Sequence, residues 1–511
     1  MSSNKFDIIV IGGGAQGTAF ISSIYLYFKN QNKFSNDIKI GVVDKNENIG
    51  CGQVYNEDYP WILMNTPTTD LSVDYENSYD FSKWIELNKN NLTLLNHNLE
   101  FVPRCTFGKY LKEKFYFFKQ ELFKFGVLIE HINDYASDIL FQSENNNVNI
   151  VLKSGKILNS NYVLFATGPS SPKDPYHLKG DKNYIHNPFP AIKNLSNIPS
   201  ESNVAIIGSN LTAIDISITL KHLGHSGKIY MTSRNGKLPE VKGKYLQSYA
   251  PKNVLYHNFE KIFNLKGKQL HLMDLVRPLR KELKIHGFNW RNYFFDKQSK
   301  PESMIEFEQR VCEARNGFTP FSIILGMIPE IAKTWRLVSL QQIDIFMSHF
   351  YRKIHQKHGA IPLINAEKIL LLLKSEQLIL KDKLNQIENN QNKFNLIFEN
   401  DNEKIICDYI INATGHNRFI CNHNLNPPFL TPCANGFIKE IKIGGTIIDI
   451  KTGMVLRGDG KYENRLRAIG HNAEGSHPFI NNFAWILEST YEVAHSLINE
   501  VIHEKKYGEC R

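Results

Sequence analysis

FDIIVIGGGAQGTAF, residues 6–20, decides how the rest of the chain is read. Phe6 to Ile11 is an apolar run of the strand type, and the glycines that follow satisfy Gly-x-Gly-x-x-Gly as Gly12, Gly14 and Gly17. The three glycines do different things. The first makes a tight turn, the second lets backbone approach a pyrophosphate, and the third lets helix and strand pack closely. TAFISSIYLYF (18–28) then reads as a helix whose N-terminal N–H groups and positive dipole end would face the phosphates. IKIGVVD (38–44) supplies the answering strand, ending in Asp44, placed to accept hydrogen bonds from ribose hydroxyls. The polar loop NQNKFSND (30–37) accounts for the long interval between Gly17 and Asp44. Spacing alone allows either FAD or NAD at this turn.

The pattern has an internal echo. NVNIVLKSGKILNSNYVLFATGPS (147–170) reads as two short strands and an apolar strand ending in Ala166-Thr167-Gly168. FNLIFENDNEKIICDYIINATGHN (394–417) repeats it, ending in Ala413-Thr414-Gly415. Between them, VAIIGSNLTAIDISITL (204–220) is nearly a second nucleotide turn, reading Gly208, Ser209, Asn210, Leu211, Thr212, Ala213. Asn210 occupies the middle glycine position, where a Cβ should hinder close approach to a pyrophosphate, while Ala213 is permitted and Thr212 can donate to a phosphate. The next strand, KIYMTSRNG (228–236), ends in Ser233 and Arg234 rather than an acid. A planar guanidinium there suits a 2′-phosphate. The rim speaks for NADPH and the centre against tight binding, so this turn is either a working site or the relic of one.

Length and composition set the frame. At 511 residues the chain exceeds one ordinary core, and 42% hydrophobic with 22% charged residues is globular. The net charge of +9 comes from Lys spread among Asn and Ile, with no compact basic arm, which excludes a nucleic-acid-binding reading. Seven cysteines without CxxC speak against a disulfide scaffold, a zinc ribbon or a redox pair. No Ser-His-Asp constellation, HExxH or metal-ligand motif is present, and no metal is expected. Without an apolar stretch long enough for a signal or span, a soluble, cytoplasmic protein with no membrane partner is expected.

The Ala-Thr-Gly strands resemble those of flavoproteins with two dinucleotide-binding domains. The resemblance implies FAD on the first turn, with Thr167 and Gly168 closing its domain. It also implies a return at RLRAIGHNAEGSHPFINNFAWILESTYEVAHSLI (465–498), where a Gly470 turn and a long helix point N–H groups toward a flavin. The expected fold is α/β, with two Rossmann-like dinucleotide-binding domains: a discontinuous FAD domain, 1–168 with 410–511, and an inserted NAD(P) domain, 169–409. Residues about 250–365 lack a nucleotide-fold rhythm. SMIEFEQRVCEA (303–314) and SLQQIDIFMSHFYRKIHQKHG (339–359) have helical spacing, which predicts a helical insertion that shapes specificity.

Further marks resemble class B flavin monooxygenases, which include N-hydroxylases of amino acids and Baeyer–Villiger enzymes. DYIINATGHNRFIC (408–421) is similar to the N-hydroxylase pattern D-x3-(L/F)-ATG-Y, with Asn412 for Leu/Phe and His416 for Tyr. LKGDKNYIHNPFP (178–190) is similar to the linker pattern F-x-G-x3-H-x3-W-P, with Gly180, His186 and Pro190 present, two extra residues between Gly180 and His186, and Phe189 for Trp. GCGQVYN (50–56), LMNTP (63–67), FVPRCTFGKYL (101–111), SRNGKLP (233–239) and HGAIP (358–362) resemble a broad group of FAD/NAD(P)-binding proteins that includes aspartate N-oxidising enzymes. That resemblance nominates Gly52, Gln53, Asn65 and Thr66 as flavin neighbours, Arg104 and Tyr110 as braces, and His186 and Arg104 as catalytic candidates. It implies a monooxygenase that uses FAD, NADPH and molecular oxygen on a small molecule, by N-oxygenation or Baeyer–Villiger insertion, in specialised metabolism. Two rival readings stand beside it: an oxidase or dehydrogenase reduced by its own substrate, and a flavin-binding scaffold or redox sensor. Substrate and oligomeric state are not written in the sequence.

Overall fold

A computed structural model describes residues 5–507 except 33, 35–36, 48, 93–98, 142–146, 244–248, 296–299, 318, 352, 355–358, 391–392, 400, 422–426, 443 and 477–482. His358 of HGAIP and residues 477–482 of the closing segment therefore lie outside the described residues. The chain divides into two units, 1–171 with 417–511, and 172–416.

The first unit is built on β1 (Lys5–Ile11), β2 (Ile38–Asp44), β3 (Val127–Asn133), a β4 (Ala136–Phe141)–β5 (Val148–Leu152) hairpin and β6 (Ile157–Phe165). β1 lies parallel between β2 and β6, β3 extends the sheet beyond β2, and β5 runs antiparallel to the start of β6. Apolar residues occupy both faces of β1, as a parallel strand covered on both sides requires. Ile8 and Val10 join a core with helices Ala15–Gln31 and Arg104–Lys124 and the closing helix Phe483–Tyr507. Ile9 and Ile11 join a second core with the hairpin and residues 420–473. Each fully buried Ile or Val stabilises the sheet by about 1.5–3 kcal/mol.

The second unit carries an all-parallel sheet in the order β10-β9-β8-β14-β7, formed by β7 (Tyr184–Ile185), β8 (Val204–Ile207), β9 (Ile229–Ser233), β10 (Leu378–Asp382) and β14 (Tyr409–Asn412). Between β9 and β10 the described residues from 256 onward carry helices, Met304–Asn316, Pro320–Trp335 and Leu363–Lys374 among them. β11 (Leu384–Asn390), β12 (Lys393–Phe398) and β13 (Asp401–Cys407) form an antiparallel sheet of their own. The first unit is completed by β15 (Met454–Leu456) and β16 (Tyr462–Ala468), with β16 parallel to β6.

Three expectations are corrected. The return to the first unit falls at 417 rather than 410, because the strand before Ala413 pairs with β8 in the second sheet, and the outward crossing falls at 171 rather than 168. The two echoed strand trios differ. Ile157–Phe165 is one nine-residue strand, whereas a bend at Asp408 separates β13 from β14 and sends them to different sheets. The cysteines do include a pair: Cys421 is bonded to Cys433, with Cα atoms 5.8 Å apart. No described helix is long and apolar enough to cross a membrane.

Candidate functional site

The first glycine turn is closed by backbone. Gly12 has φ +109°, a region that L side chains avoid, and a Cβ there would overlap the Ala166 carbonyl oxygen. Its N–H donates to Val43 O at 2.9 Å. A Cβ on Gly17 would overlap the Gly12 carbonyl, so helix and turn touch directly. Gly14 caps the helix with ordinary extended dihedrals, φ −81° and ψ −157°. Space there is short: a Cβ would stand 3.2 Å from Gly52 Cα, closer than ordinary van der Waals contact. Asp44 accepts from Gly13 N at 2.8 Å through Oδ2 and from Asn46 N at 2.8 Å through Oδ1. Asn46 Nδ2 also donates to Oδ1 at 2.9 Å, so three of a carboxylate's roughly four acceptor sites are used, which orients it and leaves capacity for one ribose hydroxyl.

The GCGQVYN segment lies against this turn. Gly50 N donates to Gly13 O at 2.7 Å, and Thr18 Oγ1 reaches Gly50 O at 3.1 Å. Gly52 has φ +64°, and Gln53 is exposed. The helix Arg104–Lys124 supports the segment from behind: a Cβ on Gly50 would meet Lys112 Cα at 2.8 Å, and one on Gly108 would overlap the Tyr55 carbonyl. Arg104 donates from Nε to Leu63 O at 3.2 Å and from its backbone N to Ile62 O at 2.9 Å, tying LMNTP to the helix start. Asn65 and Thr66 are half-buried on that strip. Tyr110 is elsewhere: its buried hydroxyl donates to Asp80 Oδ2 at 2.7 Å and accepts from Val73 N at 3.1 Å. Burial and then the Asp80 charge push its phenol well up, so it is a neutral core tie rather than a brace of GCGQVYN.

A third strand end reaches the same turn. Thr167 N donates to Asn472 Oδ1 at 3.1 Å, and Asn472 Nδ2 donates back to Thr167 Oγ1 at 3.0 Å. Asn472 lies in a short 3-10 turn, Gly470–Ala473. Gly470 has φ +61°, and a Cβ there would meet Gln16 Cγ at 2.8 Å. Gly168 also holds positive φ, +73°. Asn472, Gly108 and Thr18 were missed in the sequence; only Thr18, inside the fingerprint helix, carried a readable signal. Asn472→Ala removes a reciprocal pair and is expected to lower the unfolding free energy of the first unit by about 1–2 kcal/mol. Calorimetry beside an exposed control such as Asn56→Ala checks this, and an unchanged melting profile would remove Asn472 from the account.

The second turn repeats the first in backbone. Gly208 has φ +122°, its Cβ would overlap the Ala413 carbonyl, and its N–H donates to Thr232 O at 2.8 Å. Each Ala-Thr-Gly thus seats its alanine carbonyl on the first glycine of a turn. Asn210 caps the helix Leu211–His222 with φ −86° and ψ −168°, close to the dihedrals of Gly14, and its side chain is exposed. Thr212 is half-buried in the first helical turn. Ser209 is buried, its Oγ donating to Lys237 O at 2.6 Å. Ser233 ends β9, with Oγ 3.5 Å from Asn235 Oδ1, and Arg234 is exposed, without a partner among the described residues.

The departures from the N-hydroxylase and linker patterns meet in one contact. Asn412 is buried, donating through Nδ2 to Lys173 O at 2.7 Å and His186 O at 3.2 Å. Its Oδ1 accepts from Thr414 N at 3.1 Å. The linker is therefore held by its backbone at His186. The His186 ring is kept below the usual imidazole range by burial first and Lys179 second, against the pull of Asp174. It is neutral at pH 7.

Residues 9–170 match the model of a family described as FAD-NAD(P)-binding. The α/β fold with two parallel-strand sheets is shared with solved flavoproteins along nearly the whole chain. The ornithine hydroxylase of Pseudomonas aeruginosa, in its reduced form, is 12% identical with a TM-score of 0.57 over 97% of this chain and 99% of that one. The ornithine N-hydroxylase of Kutzneria sp. 744, solved with reduced FAD, NADP+ and L-ornithine, is 11% identical with a TM-score of 0.56 over 98% and 100%. The L-lysine 6-monooxygenase of Pseudomonas syringae is 11% identical with a TM-score of 0.56 over 97% and 99%. No curated protein matches the sequence.

Proposed function

We propose that this protein is an FAD- and NADPH-dependent monooxygenase that oxygenates a small molecule, by N-oxygenation or Baeyer–Villiger insertion, in the cytoplasm. The observation that carries the reading is the pair of glycine turns, each sealed by an Ala-Thr-Gly carbonyl, within a fold shared end to end with amino-acid N-hydroxylases. The first turn fits a pyrophosphate. Gly14 and Gly52 face each other without side chains, in a cradle that a Cβ on Gly14 would narrow. Asp44 would hold a ribose hydroxyl, the Ala15–Gln31 helix N-terminus would face the phosphates, and the segment from Gly52 and Gln53 to Asn65 and Thr66 would pass the flavin ring. FAD, once reduced, supplies the oxygen-activating chemistry; the protein supplies binding, orientation and exclusion of water. At the second turn Arg234 would pair the 2′-phosphate of NADPH, with Thr212 and the Leu211–His222 helix N-terminus on the pyrophosphate. Arg104 keeps a place beside the flavin segment, while His186 acts in the linker through its backbone.

Anaerobic stopped-flow mixing of the flavin-loaded protein with NADPH and NADH tests this. Fast bleaching by NADPH is expected, followed by oxygen uptake stimulated by an amine, amino acid or ketone. Asn210 favours the second reading, an oxidase or dehydrogenase. If neither nucleotide bleaches the flavin and a substrate does so alone, that reading replaces the first.

A further inference from the structure

The loop that follows β9 carries Arg234, and residues 301–310, running into the Met304–Asn316 helix, hold it in place. Gly236 has φ +60° and sits on Pro301, where a Cβ would meet Pro301 Cβ at 2.7 Å. Glu302 N donates to Gly236 O at 3.0 Å, and Leu238 N donates to Glu302 Oε2 at 3.0 Å. Arg310 grips the same carboxylate in a fork, Nε to Oε1 at 2.7 Å and Nη2 to Oε2 at 2.7 Å. Its Nη1 also donates to Pro239 O at 2.9 Å. From the other side, Ser209 of the glycine turn donates to Lys237 O. The clamp stands on a fixed base. Ser303 and Glu306 form a capping box at the start of the Met304–Asn316 helix, and Phe307 and Val311 bury its inner face.

The Glu302 side chain is 8% exposed and that of Arg310 24%, and each charge answers the other. Arg310 therefore has little charge left to offer a phosphate. Four hydrogen bonds tie it to the Glu302 carboxylate and to the Leu238 and Pro239 carbonyls, and Glu240 lies 3.6 Å from Nη1, a geometry suited to a planar guanidinium. The exposed cation of the loop is Arg234.

We propose that the Glu302–Arg310 pair is the positioning device that sets nucleotide preference: it holds loop 234–240 so that Arg234 meets the 2′-phosphate of NADPH. The pair touches no nucleotide itself. This rests on the reading of the 208 turn as the NADPH site. It gives the helical segment between β9 and β10 a role in cofactor choice that is separate from shaping a substrate cavity.

The test uses the full chain with FAD bound and reads dissociation constants for NADP+ and NAD+ by titration calorimetry. Arg310→Lys keeps the charge and loses the fork, Glu302→Gln keeps one acceptor and loses the charge, and Arg234→Ala is the reference. Arg310→Lys and Glu302→Gln are each expected to weaken NADP+ about tenfold, the worth of one charge-assisted contact, while NAD+ affinity stays in place. Arg234→Ala should remove the same preference. If both nucleotides weaken together in the clamp variants, the pair is merely structural and the proposal is overturned. If Arg234→Ala abolishes the preference and neither clamp variant moves it, the inference falls while the NADPH reading stands. If Arg234→Ala leaves the preference unchanged, or the wild type binds neither nucleotide, the NADPH reading itself fails. Should Arg310→Lys prove insoluble, Glu302→Gln carries the same comparison.

Discussion

Gly12→Ala is expected to leave little soluble protein and no yellow colour. The substitution places a side chain at φ +109° and drives its Cβ into the Ala166 carbonyl oxygen. Strained φ costs about 1–3 kcal/mol and overpacking about 1–3 kcal/mol more. The total is a large share of the roughly 5–15 kcal/mol that holds a domain folded. Neither β1 nor β6 can yield, because they pair in parallel along their length and lie between two cores. Gly14→Ala makes a useful contrast. Its dihedrals suit alanine, so the fold should persist while the new methyl group narrows the gap to Gly52 and flavin content falls. Thermal unfolding and the absorbance of bound flavin after purification measure both. A Gly12→Ala protein with wild-type melting and colour would refute the packing argument.

Asn412→Leu should be nearly as damaging, although leucine is what the N-hydroxylase pattern carries at that position. Asn412 is 1% exposed. The change takes its amide donor from the Lys173 and His186 carbonyls, and its carbonyl acceptor from the Thr414 N–H. A buried polar group stripped of a partner costs about 1–3 kcal/mol, so a loss of about 3 kcal/mol or more is expected. Urea denaturation, followed by circular dichroism, would show it as an earlier transition. If the leucine variant unfolds at the wild-type midpoint, the linker is held by something other than this amide.

The two substitutions mark where the sequence could and could not be read. The turn at Gly12 was legible because its geometry admits one residue type, and because a strand, a helix and a terminal acid surround it at fixed intervals. The α/β fold with parallel sheets follows from that rhythm, and the shared fold of the solved N-hydroxylases bears it out. Asn412 was visible only as a departure from a pattern, since its partners at 173 and 186 lie far away in sequence. Asn472 gave no signal, because an amide answering Thr167 across 305 positions has no periodicity. The Glu302–Arg310 clamp was hidden for a related reason: its targets are main-chain groups, and main-chain groups have no letters. The boundary near 410 was misplaced because an apolar strand reads the same whichever sheet receives it.

The discontinuity of the first unit has a consequence for the order in which a ribosome delivers the parts. When residue 171 has emerged, β6 still lacks its neighbour β16, and the core around Ile8 and Val10 still lacks the helix Phe483–Tyr507. At about 5–20 residues per second, residues 172–416 take tens of seconds to arrive. They bring every strand of the β10-β9-β8-β14-β7 sheet, so the inserted unit can finish before the unit that surrounds it. The nascent glycine turn at residue 12 must wait, with one flank of its sheet bare, for a strand made only after the inserted unit. Chaperone demand should accordingly peak during translation of the insert, and ribosome-bound chains stalled near residue 455, with the insert clear of the exit tunnel and β16 not yet made, should be more protease-sensitive in residues 1–171 than in 172–416.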